Sequence, residues 1–431
     1  MRSATLALST CAVAAKLTAA APFSFPLSNG FPNLNSSALA QVYKVAGGTL
    51  PNSPLPKSIK ASGVQTLQLL AANEIFEVAF FTELVNNITS KACGYENVSQ
   101  YALDTLTAVQ AQEQVHAIGV NAILANAGAE TIQPCKYQFP VDSYTSAILL
   151  AQTFTDVVLG VLPAAALGFA EDGGDEVGLI PIFGSILAQE AEQTGWYRST
   201  QNKVAAAAPV LTGGAAQFAY TAISNFIVPG SCPNIDIIGL KAFPALSVGS
   251  TPYAENSTLS FSVAGTIDPS NVEIAYISGQ NLPVSVPISG CTVKDGMSIF
   301  TAAFPYDLGF ARGLTIGALV SGTKHSFTSA SDVAAVTLAG PALLELNSNL
   351  SNMTDNEKKE SLKKVNGIFE MRVTNEEGKI EAWLIEMKKK GEVTKLDPNQ
   401  KIKADVTINL SDDTFQQLAD GKLNGQKASI E

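Results

Sequence analysis

The chain has 431 residues, which is enough for two or three domains with separate cores, and 46% of them are hydrophobic although only 7% are aromatic. Its formal net charge of −11 argues against nucleic-acid binding, because neutralising phosphates requires a basic surface. The charge is uneven: residues 1–350 hold 13 Lys/Arg and 23 Asp/Glu, whereas residues 351–431 hold 14 and 15. All five cysteines precede residue 351. This change in composition predicts separate domains on either side of residue 350.

The N-terminus has the features of an export signal. Arg2 precedes a short apolar run over residues 4–15, and small residues at 19–21 offer a cleavage site. We therefore predict a signal peptide over residues 1–21 and a secreted, extracellular or cell-wall protein; an uncleaved N-terminal helix is the alternative. Residues 146–170 come closest to a membrane span, but Asp156 and Pro163 interrupt them, so we expect no transmembrane segment.

Cysteines and glycosylation sequons favour the same export route. Beyond Cys11, an even number of cysteines remains, which in an exported chain predicts disulfides. Three pairings are open; we favour Cys93–Cys135 and Cys232–Cys291, because each pair falls within one predicted domain. Six acceptor sequons for N-glycosylation are present at Asn35, Asn87, Asn97, Asn256, Asn349 and Asn352.

The first half of the mature chain is predicted to be helical. Residues 22–60, rich in Pro, Ser, Asn and Gly, are expected to be an extended leader. Residues 61–227 are predicted to form a four-helix bundle, because long Pro-poor segments with a cap at Ser99 and a stop at Gly128 alternate with short loops. The predicted helices cover residues 63–88, 99–127, 143–169 (with a kink at Pro163) and 179–204, with a further helix over 214–226.

Two further domains are predicted after the bundle. Residues 231–345 alternate apolar and polar residues in short runs such as 259–263 and 272–277, which is typical of a small β-sandwich. Residues 354–431 predict an α+β domain, with a hairpin turn at 375–378, a strand over 402–410 and a helix that begins after Ser411.

Acidic side chains stand at bundle positions where apolar residues are expected. Positions three apart share a helix face, and a Glu-x-x-His pair with carboxylates from facing helices is how ferritin-like bundles hold two metal ions. The candidate metal ligands are Glu74 and Glu77 on the first helix, Glu113 and His116 on the second, and Glu190 and Gln193 on the fourth.

The predicted metal site is incomplete. Gln193 stands where a second histidine belongs, and Thr155-Asp156 replaces the carboxylate expected on the third helix. His325, the other histidine of the chain, lies in the β region. Three alternatives stay open: a hydrogen-bonded polar layer with no cofactor, which we favour, one bound metal, or a two-metal centre with iron or another divalent metal.

The bundle resembles a known family. Residues 48–56 (GTLPNSPLP) and 67–84 (LQLLAANEIFEVAFFTEL) are similar to the fungal secreted ferritin-like proteins of the late sexual development and stress response type, which are similar to plant desiccation-related proteins. The resemblance covers about residues 40–345. It implies a ferritin-like fold and an exported protein associated with stress or development.

The C-terminal region resembles the sterol carrier protein-2 family. Four segments carry the likeness: residues 362–369, 382–388, 404–411 and 421–428. The resemblance implies an apolar cavity for fatty acids, acyl-CoA, sterols or phospholipids, in a domain that is incomplete at its C-terminus. A fusion of two neighbouring genes is an alternative origin of this composition. Seven apolar residues are predicted as core that also contacts the lipid: Phe369, Met371, Val373, Trp383, Ile385, Phe415 and Leu418.

Together these features predict a binding protein rather than an enzyme, since a chain with two histidines offers little acid–base catalysis. The primary hypothesis is an exported ferritin-like protein with a lipid- or sterol-binding C-terminal domain. The alternatives are a metal-binding oxidase or iron-storage protein, and a structural protein of the cell wall or matrix without small-molecule chemistry.

Overall fold

A computed structural model describes the chain over residues 21–249, 257–310, 313–345, 366–375, 378–386, 388, 392–397, 402–412 and 414–415. The chain divides into two compact units, residues 1–346 and 347–431. Its α-helices are α1 Ser36–Ala46, α2 Ala61–Thr89, α3 Gln100–Asn126, α4 Tyr144–Asp172, α5 Ile180–Thr200, α6 Ala216–Ser224 and α7 Ala330–Ala335. The strands of the first unit are β1 Leu246–Val248, β2 Ser257–Ala264, β3 Val272–Ser278, β4 Val284–Lys294, β5 Met297–Phe304, β6 Thr315–Ser321 and β7 Thr337–Leu344. Those of the second unit are β8 Ile368–Thr374, β9 Ile380–Glu386, β10 Glu392–Leu396 and β11 Val406–Ser411.

Helices α2 to α5 form the predicted bundle, and local sequence sets where they begin. The Ser99 hydroxyl accepts a hydrogen bond from Ala102 N (3.2 Å) and caps α3. Ser143 and Ser146 form a reciprocal capping box at the start of α4, and Pro181 occupies the first turn of α5, where no amide donor is needed. The core is rich in aromatic rings, among them Phe76 and Phe80 of α2 and Phe154 of α4.

Helix α4 is long and apolar enough to cross a bilayer, and it is the one such helix in the described ranges. In its most apolar 18-residue window, 72% of the residues are buried within the protein, as expected for the central helix of a folded bundle. The helix continues through Pro163 to Asp172.

The leader is not wholly extended, which corrects our prediction. Helix α1 forms within it because Asn35 caps it, with Asn35 Oδ1 accepting from Ala38 N (2.9 Å), and Gly47 ends it at a positive φ of 78°. Helix α1 packs against α3. The leader therefore covers one side of the bundle.

The β region forms one antiparallel sheet, where we expected a sandwich of two. The strand order is β1-β2-β5-β4-β3-β6-β7, and the two end strands approach each other, so the sheet is nearly closed. Just before β1, Pro244 O accepts a hydrogen bond from Gly340 N of β7 (2.9 Å). Because strand edges left open invite association with other chains, this closure protects the sheet.

The sheet packs on the bundle, which explains why β3 is buried on both faces. Ile274 and Tyr276 point into the sheet's own core, whereas Ala275 and Ile277 join a second apolar cluster that includes Phe218 of α6. The expected alternation of buried and exposed residues therefore fails at β3, because its outer face meets a helix instead of water.

The second unit contains a four-stranded sheet with the order β10-β9-β8-β11. Strand β11 is parallel to β8, and the other pairs are antiparallel. The predicted turn is present, since Lys379 N donates to Asn375 Oδ1 (2.8 Å) and Gly378 has a φ of 77°. The predicted cap is present too: Thr414 N donates to Ser411 Oγ (3.1 Å).

Candidate functional site

Three helices of the bundle bring buried carboxylates to one point in its interior. Glu74 and Glu77 come from α2, Glu113 from α3 and Glu190 from α5. Each of these side chains is at most 1% exposed. The i, i+3 spacing of Glu113 and His116 places the imidazole on the same inward face of α3.

His116 lies at the centre of this group. Its Nδ1 donates to Glu113 Oε2 at 3.0 Å, and it lies 3.4 Å from Glu74 Oε2 and 4.0 Å from Glu190 Oε1. One ligand atom from each of Glu74, Glu113, His116 and Glu190 lies within 4.8 Å of every other. We refer to these four residues as the Glu–His cluster.

Polar residues next to the Glu–His cluster fix the orientation of its members. Gln193 Nε2 donates to Glu113 Oε1 at 2.7 Å, and the Tyr197 hydroxyl donates to Gln193 Oε1 at 3.2 Å. On α2, Asn73 Nδ2 donates to Glu77 Oε1 at 2.9 Å. Gln193 therefore acts as a donor that holds Glu113, and Glu77 is held by its own helix.

Several buried oxygens of this region have no hydrogen-bond partner among the described residues. They are Glu74 Oε2, Glu77 Oε2 and both carboxylate oxygens of Glu190. An unpartnered buried polar group costs about 1–3 kcal/mol, and more if it is charged. Such groups need an explanation, and a bound cation is one.

The pKa values of the buried glutamates also indicate that positive charge is lacking around them. Burial raises the pKa of Glu74 to about 7, although His116 partly offsets this. Burial, with the neighbouring carboxylates, raises the pKa values of Glu77 and Glu190 well above the usual range. Burial by itself lowers the pKa of His116, but Glu113 and Glu74 outweigh it and raise that pKa well above its usual value. In the absence of a cation, these raised pKa values favour protonated forms of Glu74, Glu77 and Glu190.

The donor set fits one cation and does not fit two. On α4, Asp156 is directed to Gln152, whose Nε2 donates to Asp156 Oδ2 at 3.1 Å, and it is not a member of the cluster. Its neighbour Thr155 is buried, and its hydroxyl has no hydrogen-bond partner within the described ranges. A dinuclear ferritin-like centre needs a carboxylate from this helix and a second histidine, and Gln193 occupies the latter position. Helix α4 therefore supplies no carboxylate to the cluster.

The predicted disulfide pairing is wrong. Cys135 is bonded to Cys232, with the two Cα atoms 4.2 Å apart. The reason is that the chain after α6 returns to the bundle: Cys232 packs against the bundle core, and the buried Ile238 belongs to that core. Cys93 is exposed and Cys291 half-buried. The assumption that each pair lies within one domain failed because residues 231–240 pack with the helices.

The six sequons lie in different environments. Asn35 and Asn97 are exposed and Asn87 is half-buried. Asn256, Asn349 and Asn352 lie outside the described residues. Glycosylation itself stays a prediction.

In the second unit, the predicted lipid-contacting residues share one face of the sheet. The registers pair Phe369 with Ile385 and Met371 with Trp383, and Val373 follows at the next alternate position. The Phe415 ring stacks on Trp383, with ring centroids 6.4 Å apart. Leu418 lies outside the described residues.

Sequence reasoning missed two features of this region. The first is a pocket of about 300 Å³ that His116 helps to line, next to the cluster. The second is the role of Tyr197, whose hydroxyl holds Gln193. Tyr197 follows Gln193 by four positions on α5, so the i, i+4 spacing was an available signal for the second feature.

Two family models match the chain. Residues 62–203 match a ferritin-like domain, and residues 346–431 match the SCP-2 sterol transfer family. The first match coincides with the bundle that carries the Glu–His cluster. The second begins at the junction of the two compact units.

Relatives are found for the C-terminal region. A "Fatty acid-binding protein" of Yarrowia lipolytica is 44% identical over 71 residues, which cover 16% of this chain and 55% of the relative. The "Oleate-induced peroxisomal protein POX18" of Candida maltosa is 37% identical over 89 residues, which cover 21% of this chain and 68% of the relative. Thus the chain spans about half of one relative and two thirds of the other.

A solved structure of a similar protein, "Sterol Carrier Protein 2 from Yarrowia Lipolytica (apo form)", is 42% identical, with 17% of this chain and 62% of that chain covered and a TM-score of 0.16. The assignment to a family rests on the sequence matches. Through its C-terminal region the chain belongs to the SCP-2 sterol transfer family, and residues 62–203 that precede this region are a ferritin-like domain.

Proposed function

We propose that the ferritin-like bundle binds one divalent cation at the Glu–His cluster. The observation that carries this proposal is Glu190, which has both oxygens buried without a hydrogen-bond partner in the described part of the chain. It lies beside two other glutamates and an imidazole, all with ligand atoms within 4.8 Å. Carboxylate and imidazole donors together suit metals such as iron, manganese and zinc.

Glu74, Glu113, His116 and Glu190 would hold the cation. Gln193 already binds Glu113 Oε1, so Glu113 Oε2 is the oxygen that remains directed at the cluster. A bound cation would supply positive charge to the buried carboxylates and act as a Lewis acid. The protein's own residues orient the ligands: Tyr197 fixes Gln193, and Gln193 fixes Glu113.

Manganese titration followed by electron paramagnetic resonance tests this site. We expect the full chain to bind one Mn²⁺, and Glu190→Gln to bind at least about tenfold more weakly, because losing even a residue that only supports a metal ligand costs about 10- to 100-fold in affinity. Glu192→Gln, which changes an exposed carboxylate of the same helix, is the matched control and should bind as the wild type does. Two Mn²⁺ per chain, or none, would contradict the proposal.

The C-terminal domain supports a second function, namely the binding of a fatty acid or sterol. Its support is the 44% identity to a relative called a fatty acid-binding protein, together with the apolar face formed by Phe369, Met371 and Trp383. Apolar cavities with few polar groups are the usual sites for lipids. On this reading the chain binds lipids without covalent chemistry.

Fluorescence titration with cis-parinaric acid tests lipid binding. Met371→Glu places a charge on the apolar face and should abolish saturable binding, because a buried unpaired charge is strongly unfavourable. Ile380→Glu is the control, since Ile380 is exposed at the start of β9. Equal binding by the two variants would place the lipid elsewhere.

We also infer that the protein is exported and acts in stress or development. The disulfide Cys135–Cys232 supports export, because disulfides persist in oxidising compartments. The signal-like residues 1–20 lie outside the described part of the chain. Mass spectrometry of culture medium and cell wall should find a chain that begins near residue 22; recovery only from inside cells would contradict export.

A further inference from the structure

An apolar pocket lies beside the Glu–His cluster, between α3, α5 and the loop of residues 49–55. It has a volume of about 300 Å³. Most of its lining is aliphatic or aromatic, including Leu50, Val115, Val120, Ile123, Phe183 and Ile186. The lipid-binding family match lies in the other compact unit, and the pocket shares His116 with the Glu–His cluster but none of the cluster's carboxylates.

His116 connects the pocket to the cluster. The ring lines the pocket, while its Nδ1 donates to Glu113 Oε2 on the cluster side. The other polar residues of the lining are Thr49 and Ser185, both of which are exposed. His116 is therefore the polar side chain of this lining that is largely shielded from solvent.

The 49–55 loop is held in place over the pocket. At its end, Asn126 Nδ2 donates to the carbonyl oxygens of Leu55 (3.3 Å) and Pro56 (2.8 Å). Leu50 lies against Gly119 of α3 so closely that a Cβ at position 119 would be 2.8 Å from Leu50 Cδ2. Leu50 therefore packs directly on α3 at Gly119, and the loop forms a wall of the pocket without a regular secondary structure.

The size and polarity of the pocket define the class of ligand. Its volume is about twice the roughly 150 Å³ of an engineered apolar cavity that accepts benzene, so it has room for a molecule larger than benzene, such as 1-octanol. An anionic head group at His116 would lose its hydration in a lining whose other polar side chains, Thr49 and Ser185, lie at the solvent. A cationic head group would meet no acidic residue in the lining itself and would lose its hydration.

We propose that this pocket binds an uncharged, mainly apolar small molecule whose single oxygen-bearing head group contacts His116, with its hydrocarbon part enclosed by α3, α5 and the 49–55 loop. The inference does not require a cation in the cluster, because the apolar lining is independent of the cluster's carboxylates. It adds a ligand site to a bundle for which only cation binding is proposed above.

Calorimetric titration of the full chain with 1-octanol tests the pocket. The wild type should show saturable binding. Ala122→Leu fills the pocket from α3 and should weaken binding roughly fiftyfold, because each excluded methylene costs about fourfold in affinity. Ala125→Leu, which changes an exposed alanine three residues further along the same helix, should change affinity less than about twofold by the same reasoning.

Other outcomes overturn the proposal. No saturable binding to the wild type, or binding that Ala122→Leu and a second filling variant, Val115→Phe, both leave unchanged, would show that octanol does not enter this pocket. Tighter binding of octanoate than of 1-octanol would refute the uncharged head group. Mn²⁺ stoichiometry is measured on every variant. A variant that still binds Mn²⁺ but no longer binds octanol supports a pocket separate from the cation site. A variant that loses Mn²⁺ binding but still binds octanol refutes only the cation proposal.

Discussion

Replacing Glu190 by glutamine should separate the stability of the cation-free bundle from its response to a cation. In the folded protein Glu190 is fully buried and both its oxygens are unpartnered among the described residues. Burial, together with Glu74 and Glu113, raises its pKa well above the usual range. Without metal, this raised pKa favours the neutral acid, and glutamine is a neutral group of nearly the same shape.

The expected changes in the free energy of unfolding follow from this burial. Without metal, Glu190→Gln should change the free energy of unfolding by less than about 1 kcal/mol, since one neutral buried group replaces another. With Mn²⁺ at about 100 times the wild-type dissociation constant, the wild type should gain about 2.7 kcal/mol, and a variant that binds at least tenfold more weakly should gain at most about 1.4 kcal/mol. The effect of the substitution thus depends on the metal: nearly neutral without it and destabilising with it.

Urea denaturation with and without Mn²⁺, followed by circular dichroism, measures both quantities. Glu192→Gln, an exposed change on the same helix, should keep the full gain from Mn²⁺. A loss of several kcal/mol in metal-free Glu190→Gln would mean that Glu190 is charged and paired there. An unchanged gain from Mn²⁺ would mean that Glu190 is not a ligand.

Three further predictions concern stability and binding. Burial raises the pKa of Asp156 from 3.8 to about 6, so the unfolding free energy should fall by up to about 3 kcal/mol as pH rises from 3.8 through 6. Asp156→Asn should flatten this part of the pH profile. If the variant has the same profile as the wild type, Asp156 titrates normally. Cys232→Ser removes a disulfide between residues 97 apart and should lower the free energy of unfolding, measured by thermal denaturation, by about 2–5 kcal/mol. Cys291→Ser should lower it by less than about 1 kcal/mol. Equal losses in the two variants would contradict the observed pairing. Met371→Glu should abolish binding of cis-parinaric acid while the Mn²⁺ stoichiometry stays at the wild-type value, and a loss of both would point to misfolding of the whole chain.

Periodicity and caps were sufficient to locate the helices of the bundle. The signals at Ser99 and Ser143 are local, so the chain near each residue carries the information. The inward glutamates and His116 were predictable for the same reason, because i, i+3 spacing on one helix decides which side chains share a face.

Contacts distant in sequence were not predictable in this way. The closure of the sheet depends on β1 and β7 meeting, and the disulfide depends on Cys232 returning to the bundle. Neither leaves a local pattern in the sequence. Asp156 shows the same limit: its spacing allowed it to face the cluster, but Gln152 on its own helix binds it instead.

X-ray diffraction of the metal-soaked full chain at the manganese absorption edge would show the site directly. One anomalous peak bonded to Glu74, Glu113, His116 and Glu190 is the expected result. Two peaks about 3.5–4 Å apart would show a dinuclear centre, and the absence of a peak would show that the buried carboxylates bind no Mn²⁺. Either result would contradict the binding of a single cation.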